Sequence, residues 1–224
     1  MSYMPTNLVV FGSGNIAELA HYYFSNDSGH EVVAFTLDAE YIDSDTFCGL
    51  PVVPFADIQS EFPPEEHALF IALSYSRLNE VRKEKFLAGK EKGYKLTSYI
   101  SSRASVLNDG RIGENCFILE DNTIQPFVTI GNNVTLWSGN HIGHHSTIYD
   151  HTFISSHVVI SGGVVIGESC FLGVNATLRD HITVGDKCVI GAGALLQSDA
   201  EPERVYLGAK ARRSRMPSTR LKKI

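Results

Sequence analysis

From Val106 to Leu196 every sixth residue is aliphatic, sixteen positions in succession without a gap. A period of six matches neither the 3.6-residue repeat of an amphipathic helix nor the two-residue alternation of a half-buried strand. It matches very short strands joined by turns and wound into a parallel β-helix, with each aliphatic side chain pointing inward. A glycine often follows the aliphatic residue, as at Gly113, Gly131, Gly143, Gly167 and Gly185. Two residues before it the side chain is usually small, as at Ala104, Cys116, Ser146, Cys170, Ala176 and Cys188.

Residues 7 to 100 follow a different rhythm. "NLVVFGSGNIAELAHYYF" reads as a hydrophobic strand, a glycine turn and a helix. "HEVVAFTLD" reads as a second strand ending at Asp38, and "CGLPVVPF" as a short extended segment. "HALFIALSYSRLNEVRKEKFLAGKEKGY" gives a further strand, a turn and a basic helix, and "KLTSYI" a last strand leading into the repeat. Alternation of strand and helix predicts a small parallel sheet. The domains are therefore expected at 1–100, 101–205 and, as a basic closing segment, 206–224.

Composition narrows the function classes. The chain has 224 residues, 43% hydrophobic and 20% charged, enough for a packed core. The formal net charge is −6, and basic residues gather only in the tail at 210–223, so a nucleic-acid partner is not expected. No apolar run is long enough to span a membrane. The start "MSYMPTNLVVFG" has no charged leader region, and a cytoplasmic address is expected. Cys48, Cys116, Cys170 and Cys188 contain no CxxC pair, which argues against a zinc knuckle or a disulfide framework.

Gly12-Ser13-Gly14-Asn15-Ile16-Ala17 is a GxGxxA turn between a strand and a helix. Such a turn lets a diphosphate approach the backbone and places it against the free N–H groups of a helix N-terminus. Asp38, ending the next strand, is placed to accept from a ribose or base. About 95 residues hold little more than one nucleotide-binding half, so a mononucleotide diphosphate fits better than a dinucleotide. The segment 74–77 after the later strand is a weaker candidate. The second feature is histidine: five of the chain's nine fall between 140 and 157. A metal cage, a catalytic base or a solvated face are the candidate explanations.

The hexads resemble the hexapeptide repeat of left-handed β-helix acyltransferases. In combination with the GxGxxA domain they resemble the bacterial enzymes that N-acetylate nucleotide-linked amino sugars, as in the bacillosamine and perosamine pathways. The resemblance implies a small Rossmann-like parallel sheet followed by a left-handed parallel β-helix, three hexads per triangular coil. Residues eighteen apart then stack, and Ile112, Ile130, Ile148, Ile166 and Val184 form one inward column. It also implies a homotrimer using acetyl-CoA as co-substrate, with no bound cofactor and no metal. Gly12, Ser13, Gly14 and Asp38 would hold the nucleotide sugar. Gly162, Val174 and Ala192 would meet acetyl-CoA through the backbone, Gly162 near the reacting end, with Lys210 and Arg212 on its phosphates.

The catalytic histidine of that family maps onto His144, with His145 the alternative. An imidazole, with an ordinary pKa of about 6.5, can take the proton of an attacking amine near neutral pH. The family usually has a glutamate next in sequence; this chain has His145 there, so a carboxylate from elsewhere, Asp150 among the candidates, is sought. Zinc needs three or four converging ligands. His145, His151 and His157 are six apart, and in a triangular coil they point away from each other. His141, His151 and His181 are read as residues of turns or of the subunit interface, His157 is a candidate for the acceptor pocket, and Trp137 either packs between subunits or meets substrate. Three rival readings remain: a sialic acid O-acetyltransferase, a metalloprotein like the β-helix carbonic anhydrases, and a non-catalytic assembly module.

Overall fold

A computed structural model describes residues 6–220. Residues 1–5 of the expected first domain, with part of the stretch on which the leader reading rests, and 221–224 of the basic tail lie outside the described residues.

Strand β1 (Thr6–Phe11) runs into Gly12 and then α1 (Asn15–Asp27), as the hydrophobic run and glycine turn require. Next come β2 (His30–Leu37), β3 (Thr46–Phe47), β4 (Leu50–Pro54), the short α2 (Ile58–Glu61), β5 (His67–Ile71) and α3 (Glu80–Glu91). The sheet order is β3-β4-β2-β1-β5; β4, β2, β1 and β5 are parallel, and β3 closes a hairpin on β4. Val10, Ala20, Phe24 and Phe70 pack one side of the sheet, and Val9, Ile58, Leu69 and Phe86 the other.

The repeat folds as read. Two-residue strands stack into three parallel sheets of seven, six and four strands, the faces of a triangular prism. Face 1 carries Thr135–Leu136 and Phe153–Ile154, face 2 His141–Ile142 and Val159–Ile160, and face 3 Thr147–Ile148 and Val165–Ile166. The inward column is realised: Ile112, Ile130, Ile148, Ile166 and Val184 pair in succession across the coils. The small inward side chains also join coils. Ser146 Oγ donates to Ser161 O at 3.1 Å and accepts from Val164 N–H at 3.1 Å. Thr152 Oγ1 repeats the pattern with Gly167 O and Cys170 N–H. The Cys116 and Cys170 thiols sit in the same position, buried and free, and burial pushes them up to about 11 and about 12.

One expected element divides. Leu96 bridges to Leu69 of the first sheet, but Tyr99–Ile100 pairs with Phe117–Ile118 and opens face 1. "KLTSYI" is therefore a joint between the two units, not a single strand.

The α/β unit lies over face 1. Asp27 at the end of α1 accepts from Tyr99 Oη at 2.7 Å and Ser102 N–H at 2.9 Å, which pulls its carboxyl down to about 2. Asn115 accepts from Ile71 N–H at 2.7 Å with its side-chain oxygen and donates back to Ile71 O at 3.3 Å, so the end of β5 pairs with an amide. Arg82 of α3 is 1% exposed and donates to His151 O and Asn79 Oδ1, both at 2.9 Å, and to Thr135 Oγ1 at 3.0 Å.

Candidate active site

The prism corners explain the histidines. Every sixth residue from Asp109 to Gly193 has positive φ, fifteen corners in succession, and twelve of these residues are Asn, Asp, Gly or His. These residue types tolerate the left-handed region best. His145, His151, His157 and His181 are four of them, with φ of 59°, 63°, 58° and 56°. The first three turn three different corners of the prism and so point apart. Among the described residues no group of three or more His, Cys, Asp or Glu side chains could hold a metal ion.

His144 is different. It lies one residue before the left-handed position, on the corner between faces 2 and 3. Gln125 Oε1 accepts its backbone N–H at 2.8 Å, and its carbonyl accepts Gly163 N–H at 2.8 Å. Its imidazole lies over Gly162, one coil on: a Cβ there would stand 2.6 Å from His144 Cε1 and 2.8 Å from Nε2. Gly162 N–H donates to no protein acceptor among the described residues. The imidazole therefore packs against a residue whose backbone donor is free. His144 Nδ1 meets His145 Nδ1 at 3.1 Å, and the His145 ring packs on Phe127 at 4.7 Å. No carboxylate pairs with either ring among the described residues; the histidine–carboxylate contacts there are His151–Glu168 and His181–Asp180. Asp150 is no substitute: it stands on the corner between faces 3 and 1, where it accepts from Asn132 N–H at 2.8 Å.

A cleft of about 750 Å³ opens between the α/β unit and face 1. One wall is the N-terminus of α1 with Gly14, Asn15 and Ile16; the other carries Trp137, Phe153, Ser156 and Val174, with Ser74 and Tyr75 at its edge. Gly12 has φ of 130°, and a Cβ on it would lie 2.8 Å from Ala72 O, so only glycine lets β1 turn this close to the end of β5. Gly14 has no atom within 4 Å of its Cβ direction, and α1 has no side-chain cap. The first helical N–H groups are thus left to a ligand. Ser13 faces a second cavity of about 260 Å³, shared with Asp43, Ser44 and Thr46. Asp38 stands at the end of β2 as expected, but Lys85 Nζ holds its carboxylate at 2.6 Å.

The expected acetyl-CoA residues divide between two corners. Val174 and Ala192 lie on the corner between faces 1 and 2, one coil apart, and Val174 also lines the cleft. Their backbone N–H groups, like that of Gly162, have no protein acceptor among the described residues. Gly208 packs against this corner, where a Cβ would collide with Ala192 O. Lys210 and Arg212 follow on an exposed irregular segment. Gly162 belongs with His144 on the opposite corner. A single chain therefore does not bring the histidine pair to the cleft. His157 stays out of the cleft wall, its ring over Gly139, whereas Trp137 is part of that wall.

Of the 74–77 candidate segment, Ser74 and Tyr75 do line the cleft, whereas sequence reasoning missed Phe153 and Arg82. Tyr75 packs on Phe153 and Phe171 at 5.0 and 4.7 Å. A signal for the aromatic wall existed: Phe117, Phe153 and Phe171 all precede an inward residue in the eighteen-residue register of face 1, whereas faces 2 and 3 have Ser, Thr, Val, His, Leu or Arg there. Arg82 carried no signal, because a basic helix ordinarily faces solvent.

Residues 109–144 match the family model described as bacterial transferase hexapeptide (six repeats), and 163–198 the one described as hexapeptide repeat of succinyl-transferase. Among solved structures, the chain is similar to a histidine variant of perosamine N-acetyltransferase from Caulobacter crescentus in complex with CoA and GDP-perosamine. Identity is 23%, with 90% of this chain and 93% of that one covered and a TM-score of 0.81. It is also similar to the acetyltransferase domain of PglB from Neisseria gonorrhoeae, at 21% identity, 91% and 97% coverage and a TM-score of 0.79. A third is WeeI from Acinetobacter baumannii, at 20% identity, 90% and 96% coverage and a TM-score of 0.76. A search of curated proteins finds no match. The shared fold is the expected one, a Rossmann-like sheet followed by a left-handed β-helix.

Proposed function

We propose that this chain transfers the acetyl group of acetyl-CoA to the amine of a nucleotide-diphosphate-linked amino-deoxysugar. The observation that carries the reading is the His144 imidazole lying against Gly162, a residue whose backbone N–H is free: a proton acceptor and an oxyanion donor on neighbouring coils of one corner. Direct acyl transfer to an amine needs those two groups and no metal or covalent intermediate. The relatives support the choice of substrates: one similar structure holds CoA with GDP-perosamine, and another, the acetyltransferase domain of PglB, holds acetyl coenzyme A.

In this reading the α1 N-terminus and the Gly12–Gly14 turn hold the diphosphate, and the aromatic wall of face 1 carries the sugar. Val174 and Ala192 offer backbone N–H groups to the pantetheine arm, and Lys210 and Arg212 meet the CoA phosphates. The amine attacks the thioester carbonyl and passes its proton to His144 Nε2, while Gly162 N–H donates to the oxygen that gains charge. Because the cleft and His144 lie on opposite sides of the prism, a second copy must present its His144 corner to the cleft of the first. Face 2 lies between the two corners and is uncovered, with Val159 41% and Leu195 63% exposed. A homotrimer packed through this region closes three equal sites. A cytoplasmic address goes with these two charged co-substrates.

The test is thiol release from acetyl-CoA with UDP-, dTDP- and GDP-linked 3-amino and 4-amino deoxysugars, using wild type and His144→Ala. Turnover on one sugar, lost in the variant, is expected. No release with any of them, alongside release with free sialic acid, would replace the reading with O-acetylation.

A further inference from the structure

The contact between His144 and His145 has a direction. Two imidazole Nδ1 atoms 3.1 Å apart, with rings 87° from parallel, need one N–H and one lone pair between them. Two opposite arrangements satisfy this, and they differ in what each ring has left. If His145 donates, His144 carries its proton on Nε2 and has no lone pair to offer outward. If His144 donates, its Nε2 is a free acceptor. Of the two ring nitrogens, Nε2 lies nearer Gly162, 2.8 Å against 3.1 Å for Nδ1 from where a Cβ would stand. The His145 ring is instead turned onto Phe127 by a left-handed backbone, 4.7 Å between centroids.

We propose that His145 is a positioning residue: its Nδ1 accepts the Nδ1–H of His144 and so keeps the Nε2 lone pair of His144 free as the proton acceptor. His145 then carries its own proton on Nε2. In the reaction the amine nitrogen forms its bond to the thioester carbon and its proton moves to His144 Nε2. The C–S bond then breaks, and the leaving sulfur takes that proton back, so His144 returns to its starting state. While His144 is an imidazolium, its Nδ1–H bond to His145 is charge-assisted and stronger than in the resting pair. A neutral imidazole thus does, with less charge stabilisation, what an adjacent carboxylate would do. The assignment of a reaction rests on the function proposed above; the tautomer is a property of the resting protein.

The test has two arms. Long-range 1H–15N spectra of histidine-labelled protein at neutral pH, with the His144 signals identified by their loss in His144→Gln, report the tautomer without substrate. His144 is expected as the Nδ1–H form in wild type and chiefly as the Nε2–H form, the one free imidazoles favour, in His145→Phe. Phenylalanine already turns an equivalent corner at Phe127, with φ of 67°, and glutamate holds a left-handed position at Glu203, with φ of 59°, so both replacements suit the backbone. In the kinetic arm, His145→Phe should lower kcat about 10–100-fold with KM nearly unchanged. His145→Glu should restore it, because a carboxylate accepts the same N–H. An Nε2–H tautomer on His144 in wild type would overturn the proposal, as would a His145→Glu variant no better than His145→Phe. If no acetyl transfer is found, the tautomer arm still decides; if His144→Ala retains turnover, it is the proposed base that fails.

Discussion

The Arg82 guanidinium donates to the backbone carbonyl of His151 at 2.9 Å, joining the second long helix to a corner of the β-helix through a fully buried cation. Burial pulls Arg82 down to about 10, so it stays charged at neutral pH. Its partners are carbonyl, amide and hydroxyl oxygens, with the Phe153 ring 5.8 Å from the guanidinium carbon. Together with Asp27 and Asn115, this side chain holds in register the two units that wall the cleft.

Replacing Arg82 with alanine leaves those oxygens buried without a donor. The expected loss is about 3 kcal/mol of unfolding free energy, compared at equal protein concentration. Arg82→Lys should recover little, since one ammonium cannot span the same fork of acceptors. Urea unfolding measures both; a loss within error of zero for Arg82→Ala would show that the docking does not depend on this contact.

His151 makes stability depend on pH. Burial, assisted by the nearby Lys83 charge, pushes its imidazole down from 6.5 to about 4. As pH falls below about 6.5 the unfolded ring takes a proton and the folded ring does not. Stability is therefore complete above that pH and declines toward pH 4, by about 2 kcal/mol at pH 5. His151→Asn suits the left-handed corner and removes the titration. Unfolding free energies at pH 7.5 and pH 5 should diverge for wild type more than for the variant, and equal slopes would refute the assignment.

Gly162→Ala separates activity from folding. The backbone there is ordinary, and the three atoms nearest the new Cβ all belong to the His144 ring, the first at 2.6 Å. Unfolding should change by less than about 1 kcal/mol, while kcat for acetyl transfer falls by about 100-fold as the imidazole is displaced. Wild-type kcat in Gly162→Ala would remove His144 and Gly162 from the reaction centre.

The two glycines of the turn should respond differently. Gly12→Ala forces a side chain into positive φ and against Ala72 O, at a cost of about 1–3 kcal/mol. Gly14→Ala meets nothing, and its φ of −98° suits alanine, but at the N-cap of α1 alanine is poorer than glycine, so stability should fall by less than about 1 kcal/mol. The methyl group would nevertheless stand where a diphosphate approaches, raising KM for the nucleotide sugar about tenfold. Thermal unfolding and substrate titration of the two variants check the pair.

Much of the fold was legible in residue order. The six-residue aliphatic period requires coils whose inward residues stack, and Ile112 to Val184 do stack; the strand, glycine turn and helix around Gly12 form where the pattern puts them. His144 over Gly162 was legible too, through resemblance. His151 and His181 were read as turn or interface residues and His145 and His157 as chemistry, yet all four of these histidines serve a backbone need, the left-handed corner. That need is itself periodic and could have been read from the Asn, Asp and Gly at equivalent positions. Arg82 and the paired state of Asp38 had no such signal, because each depends on which faces meet.

Local sequence determined the coil, its inward residues, its corners and the glycine turn, since backbone sterics and side-chain periodicity act within a few residues. Tertiary structure alone decided that the α/β unit covers face 1, that Arg82 is buried, and that His144 stands on the far corner from the cleft. Those outcomes depend on contacts between residues many coils apart, set by packing and charge burial between surfaces that no short-range pattern encodes.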